Sequence, residues 1–372
     1  MDEPDVMFER VEDLVLDKPV DMLPGLPVEV PDVAMSTAGF VCKTLSPLSN
    51  TTGRIRKSCL TTSAGKSGTT LMHTVNWMKK KQPRVCLPEN VSTGLMGKSR
   101  KHPDKDASGS MEGLKTAMSD AGYMLLPLHL DALEYGISQH RPRTWMFAFC
   151  REKLLDMHVL ERPLQAEPEE VMRQACIDLR MAMRTGMFPL SRFMLTPKEL
   201  DSLPQGNQPR TRHSRRENSW RSESRTAYAE CDLEWCLRED IQKLLDEGEL
   251  TDREQYLINF HGKQSLKSGG MTMELKHSLT RSRTHNGYTS CLLPTSRIVV
   301  VARAADGSLR LRLVHPCEAL ILQGFPKDVA MNCAAEFPGC LLMDLAGNAF
   351  NSAAMAVASV VALALLANLS MP

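Results

Sequence analysis

Between residues 33 and 150, apolar residues alternate between two spacings, and this constrains the fold more than any other feature of the chain. Val33 to Met35 leads into a buried strand that ends at Gly39. Leu71, Met72, Val75 and Met78 then recur at helical spacing, and Pro83 closes that helix. Val85-Cys86-Leu87 reads as a short buried strand. Met111, Leu114, Met118 and Ala121 share one face of a second helix, with Gly122 where a C-terminal cap belongs. Two more strands follow, over residues 123–130 and 144–149. Strand, helix, strand, helix, strand predicts an α/β domain with a largely parallel sheet.

The chain has 372 residues, enough for two domains with real cores. It is 42% hydrophobic and 24% charged, ordinary for a soluble globular protein. The formal net charge of +1 means that any nucleic-acid surface must be local. Eleven cysteines lie scattered without CxxC pairs, which predicts free thiols in a reducing, intracellular compartment and no metal site. No charged-then-apolar leader opens the sequence. The alanine-rich run 353–367 falls short of the ~20 strong hydrophobes of a membrane span and reads as a buried core helix. No membrane partner is expected.

The middle of the chain differs. Pro168-Glu169-Glu170 starts a helix whose apolar face is Val171, Met172, Ala175, Cys176 and Leu179. Residues 205–226 hold six arginines against two glutamates. Thr251-Asp252-Arg253-Glu254 is a capping box. Ile298-Val299-Val300-Val301, a turn at Asp306-Gly307 and residues 309–313 read as a hairpin. Gly65-Lys66-Ser67 imitates the end of a phosphate-binding loop, but Leu60 stands where its first glycine is required.

Several short pieces carry chemistry only in combination. Gly39-Phe40-Val41-Cys42 follows a strand end, with Ser46 four residues on. Pro88-Glu89-Asn90-Val91 follows the strand at 85–87. Tyr135-Gly136-Ile137-Ser138-Gln139-His140-Arg141-Pro142-Arg143 precedes the last strand, and arginines at i and i+2 of an extended segment point to one side. Arg312, Leu313, His315 and Glu318 precede Gln323-Gly324-Phe325-Pro326, and Gly347-Asn348-Ala349 comes about twenty residues later. Taken singly, these read as a buried cysteine, a solvated glutamate, a basic turn and ordinary loops.

Their joint order resembles the cytosine-C5 methyltransferase family over roughly residues 33–150 and 290–365. The resemblance implies a Rossmann-like, S-adenosylmethionine-dependent methyltransferase sheet with an inserted target-recognition domain. It places the catalytic domain at 1–155 and 306–372 and target recognition at 156–305. The implied chemistry is methyl transfer from S-adenosylmethionine to cytosine C5 in DNA, with tRNA as the alternative substrate. By resemblance Cys42 is the nucleophile that adds to C6, Glu89 the acid near the ring nitrogen, and Arg141 and Arg143 the cations at O2 and the neighbouring phosphate. Gln139, with Arg215 and Arg216 of the arginine loop, is expected to contact nucleic acid. Asn348 and Ala349 are expected beside the methyl donor. A nuclear location follows if the source is eukaryotic.

Two departures bear on activity. Val41 replaces the proline of the family's catalytic loop. The family's opening Phe-x-Gly-x-Gly turn is missing, since only Gly25 precedes Gly39, and Phe8-Glu9-Arg10-Val11 carries Arg10 where the later family element has an acid. The sequence therefore predicts weak donor binding. It leaves open a catalytically degenerate nucleic-acid-binding protein, and equally a truncation.

Overall fold

The computed structural model describes residues 4–40, 65–91, 108–156, 168–204, 235–247, 249–265, 271–277, 284–303 and 308–369. The chain divides into two compact units. One comprises Met1–Leu130, Pro142–Met183 and Ala356–Pro372; the other comprises Asp131–Arg141 and Arg184–Met355.

The first unit is built on β1 (Met35–Gly39), α1 (Gly65–Lys81), β2 (Val85–Val91), α2 (Ser108–Asp120), β3 (Tyr123–Asp131) and β4 (Pro142–Cys150). Short α3 (Arg151–Asp156) and α4 (Pro168–Ala182) follow. The helical spacing of Leu71, Val75 and Met78 in α1, and of Leu114 and Met118 in α2, places these side chains against Cys86, Tyr123, Leu125, Met146 and Ala148 of the sheet. Leu71, Met78, Leu114 and Met118 are fully buried, each contributing about 1.5–3 kcal/mol relative to exposure. Gly122 takes φ +87° and ends α2 as its sequence position predicts. In α4 the buried face is narrower than expected: Met172 and Cys176 are buried, whereas Val171 is exposed.

The strand order is β1-β2-β4-β3. β1 and β2 are parallel, with Gly39 opposite Glu89, but β4 runs antiparallel to β2, with Val91 opposite Arg143. The sheet is thus mixed rather than largely parallel. Residues 132–141, which join β3 to β4, are too few for the helical crossover that parallel neighbours need. β2 also extends beyond its apolar run, so that Glu89 and Asn90 lie in the strand and not in a following loop.

The second unit contains α5 (Pro197–Asp201), α6 (Trp235–Asp246), α7 (Asp252–Ser265), β5 (Met271–Glu274), β6 (Thr284–His285), β7 (Ile298–Arg303), β8 (Leu309–Leu313), α8 (Pro316–Leu322), α9 (Lys327–Glu336) and α10 (Gly339–Asn348). Its sheet has the order β6-β5-β7-β8, all antiparallel. β7 and β8 pair antiparallel as expected, and the expected turn at Asp306-Gly307 lies outside the described residues. β8 therefore belongs to this sheet, and residues 306–355 fall in the second unit, not with the first sheet as the sequence suggested. The unbroken run Ile298–Val301 is explained by burial on both faces. Val299 and Val301 pack with Ile241, Leu257 and Met273, whereas Ile298 and Val300 face Leu292, Leu320 and Leu322.

The capping box forms: the Glu254 N–H donates to Thr251 Oγ1 and the Thr251 N–H to Glu254 Oε2, both at 3.2 Å. Glu254 also accepts Arg297 Nε at 3.0 Å in a pair whose side chains are both 3% exposed. The apolar tail is α11 (Ser352–Leu369), which starts in the second unit and ends in the first. Ala354, Val357, Ala358, Val361, Ala362 and Leu365 are buried, in keeping with a core helix, while Val360 and Leu363 are exposed. By length and composition alone, the stretch Gly339–Ala367 could cross a membrane.

Candidate active site at the carboxyl end of the first sheet

Glu89 lies near the carboxyl end of β2, directly across from Gly39 at the end of the parallel β1. Open α/β sheets bind ligands at this edge. Along β2, Glu89 and Val91 point to one face; on antiparallel β4, Arg143 sits opposite Val91 and Trp145 opposite Glu89. Glu89 and Arg143 are therefore diagonal neighbours on the same face. Arg143 Nε donates to Glu89 Oε1 at 2.8 Å, and the two side chains are 14% and 13% exposed. A largely buried carboxylate and guanidinium, hydrogen-bonded to each other, are the chemical types that can supply an acid and a planar donor to one ring.

Asn90 holds the neighbouring strand end. It is buried, its Nδ2 donates to the Phe40 carbonyl at 2.7 Å, and its Oδ1 accepts the Val91 N–H at 2.8 Å. The exit of the chain from β1 is thus tied to the strand that carries Glu89. Cys42, two residues further on, lies outside the described residues, as do Arg215 and Arg216. Among the described cysteines, burial pushes the Cys86, Cys176 and Cys317 thiols up to about 12, which makes them poor nucleophiles.

Arg141 and Arg143 do not share a task. Arg141 is buried, and its guanidinium donates to the carbonyls of Leu292 at 3.0 Å, Gly347 at 3.2 Å and Ala349 at 2.7 Å. It serves as a clamp within the second unit rather than a ligand contact. The i, i+2 rule failed here because Arg143 already belongs to β4, whereas Arg141 precedes it. Gln139 is fully buried as well: its Nε2 donates to the Leu322 carbonyl at 3.5 Å and its Oε1 accepts Gln323 Nε2 at 3.4 Å. The side chain has no face left for nucleic acid.

The Arg141 clamp explains the Gly-Asn-Ala block. A Cβ on Gly347 would lie 2.1 Å from the Pro294 nitrogen, so only glycine allows α10 to approach the backbone at 293–294. Asn348 is exposed, with its Nδ2 on Asp344 Oδ1 at 3.2 Å. Glu318 organises the block before it. Fully buried, it takes Arg312 at 2.7 and 2.6 Å, the Leu195 N–H at 2.7 Å and the His315 N–H at 2.8 Å. His315 caps α8 by accepting the Cys317 N–H on Nδ1 at 3.1 Å. That role needs a neutral ring, and burial accordingly lowers its pKa. The sequence pattern contained Glu318 and His315 but not their structural purpose. It missed Asn90 as the tie to β1, for which strand parity was the available signal.

The described residues do not fit a methyl-donor cradle. Gly25, with φ +70°, has nothing within 4 Å of the place a Cβ would occupy. Its N–H closes a turn onto the Asp21 carbonyl at 2.8 Å. It thus serves the backbone conformation and not the close approach of a ligand. Arg10 opens a short 3-10 turn (Val11–Val15) and rests beside Glu9 at the surface.

Residues 28–362 match the family model of the C-5 cytosine-specific DNA methylases. No curated protein sequence matches the chain. Among solved structures, it is similar to S. pombe Dnmt2 at 11% identity and a TM-score of 0.42, covering 90% of this chain and 79% of that one. A prophage-encoded E. coli protein assigned as a DNA modification methyltransferase gives 18% identity and a TM-score of 0.42, with coverages of 91% and 80%. The Entamoeba histolytica methyltransferase EhMeth gives 10% and 0.40, with coverages of 90% and 78%. A family match across nearly the whole length carries the conclusion: the chain belongs to the C-5 cytosine-specific DNA methylase family.

Proposed function

We propose that this chain binds an unstacked cytosine of a nucleic acid and adds the Cys42 thiolate to its C6 atom. The observation that carries the reading is the Glu89–Arg143 pair, largely buried across from the end of β1. Cys42 follows Phe40 by two residues in the sequence, and Phe40 is tied to the strand that carries Glu89. The S–C6 bond forms as the C5=C6 π pair moves to C4–C5. The C4=N3 pair moves onto N3, which takes a proton from the Glu89 carboxyl. Arg143 holds O2, where negative charge would otherwise build. The product is an enamine that is nucleophilic at C5. DNA is the favoured substrate on the strength of the long middle region, and RNA presents the same ring.

The family's methyl donor is S-adenosylmethionine. Since the described residues do not fit it, the absent donor cradle favours a second reading, a catalytically degenerate nucleic-acid-binding protein. Tritium release from a 5-tritiated cytosine oligonucleotide without donor separates the two. Adduct formation, protonation at C5 and reversal exchange the C5 hydrogen with water. The first reading expects release that Cys42→Ser abolishes. Binding without release would establish the second.

A further inference from the structure

Among its described residues, the second unit presents a cluster of titratable and aromatic side chains around His140. His140 Nδ1 donates to Asp131 Oδ2 at 2.6 Å, and the imidazole is 52% exposed. Asp131 is fixed in turn, its Oδ1 accepting the Arg141 N–H at 2.9 Å and the Leu133 N–H at 3.3 Å. The ring is therefore aimed by a carboxylate that is itself held by backbone. Beside it, Tyr288 lies edge-on with a centroid separation of 6.5 Å, and His285 lies tilted against Tyr288 at 5.0 Å. The row is rigid. The His140 N–H donates to the Thr289 carbonyl and the Thr289 N–H to the Ser138 carbonyl, both at 2.8 Å, while Thr272 Oγ1 holds the Tyr288 carbonyl at 2.6 Å. Gly287, with φ +76°, makes the turn that sets His285 and Tyr288 side by side.

We propose that His140, Tyr288 and His285 form a contact for the substrate strand, with His140 Nε2 donating to a backbone phosphate and Tyr288 packing against the adjoining nucleoside. The proposal rests on the nucleic-acid reading above. With Nδ1 committed to Asp131, a cationic ring offers its Nε2–H outward, as a phosphate oxygen requires. The Asp131 hydrogen bond raises the imidazole above its ordinary value against the opposing effect of burial, so the cation persists toward neutral pH. The other groups facing it are Cys291, which also raises it, and the Tyr288 ring, against which His285 lies in turn; the Arg141 guanidinium donates to Cys291 Sγ at 3.4 Å and to carbonyls. His140 stands three residues before Arg143 in the sequence.

Fluorescence anisotropy with the full chain tests this, using a labelled DNA duplex and an RNA hairpin of matched sequence, at pH 6.0 and 8.5 over a salt series. The preferred probe identifies the nucleic acid. At pH 6.0, His140→Gln should flatten the salt slope by about one, the mark of one lost phosphate contact, and that difference should vanish at pH 8.5. Asp131→Asn keeps the acceptor shape and should move the pH midpoint of binding downward. Tyr288→Leu should weaken binding at both pH values by at least about fivefold. Parental slopes and affinities in all three variants would overturn the contact while leaving the nucleic-acid reading intact. No binding of either probe by the parent protein would overturn both.

Discussion

Glu89, Arg143, Glu318 and His140 are side chains with fixed partners. If Glu89 acts as proposed, Glu89→Gln removes the proton that N3 takes, and adduct formation should slow by about a hundredfold or more. Arg143→Lys keeps the charge but loses the planar fork, and it should slow the same step, as read from adduct formation against time. Glu318 is a different kind of residue. It is a buried carboxylate with four donors, so Glu318→Ala should leave Arg312 without its carboxylate and cost about 3–5 kcal/mol in urea unfolding. The His140–Asp131 pair makes stability depend on pH. The raised His140 value gives a contribution that is complete below about pH 6.5 and lost as pH rises through the folded value. For Asp131, burial works upward, but the hydrogen bonds from His140 and from the Leu133 and Arg141 N–H groups hold its pKa below the usual carboxylate value. Its contribution is present above about pH 4 and lost as pH falls through the folded value. The urea midpoint of the parent should therefore exceed that of His140→Gln most between about pH 4 and 6.5, and the gap should close above pH 8. Solvent screening of the half-exposed ring keeps that gap small.

Among the elements, α10 and α7 give the sharpest expectations. Gly347→Ala would set a Cβ 2.1 Å from the Pro294 nitrogen, so α10 must shift away from 293–294 and disturb the Arg141 clamp. We expect a loss of about 1–3 kcal/mol or more, seen as a lower urea midpoint. Thr251→Ala removes one half of the α7 capping box, and about 1 kcal/mol with it. Helices were legible because their buried faces repeat within one segment: Leu71, Val75 and Met78 report on α1 without reference to any partner. Strands were located but not paired. Nothing local to residues 144–149 says that β4 would slot antiparallel between β2 and β3. Glu89 was read as a loop residue because β2 continues past its apolar stretch, and there its partner is Trp145 of a strand far along the chain. The same limit hid the difference between Arg141 and Arg143, which only the start of β4 separates.

For the molecule as a whole, the base-handling and donor-handling halves of a methylase differ in how well this chain supplies them. On the proposed reading the first rests on Glu89, Arg143 and the tied end of β1; the second has no cradle among the described residues. Each lost hydrogen bond to a polar ligand is worth on the order of 1–3 kcal/mol, so several together weaken donor binding by at least roughly a hundredfold relative to a family member with the glycine turn. Calorimetry with S-adenosylmethionine should show that weakness, and methyl transfer by the chain alone should be slow or undetectable; tight binding would mean that residues 1–35 rebuild the site. The central claim is chemical and needs no donor. An oligonucleotide carrying 2-pyrimidinone in place of the target cytosine presents a ring readily attacked at C6. Incubated with the full chain without S-adenosylmethionine, it should give a denaturation-resistant complex of one oligonucleotide per protein, by mass. That complex should be absent with Cys42→Ser and form slowly with Glu89→Gln. No adduct with the parent protein, or one that survives Cys42→Ser, would contradict the account.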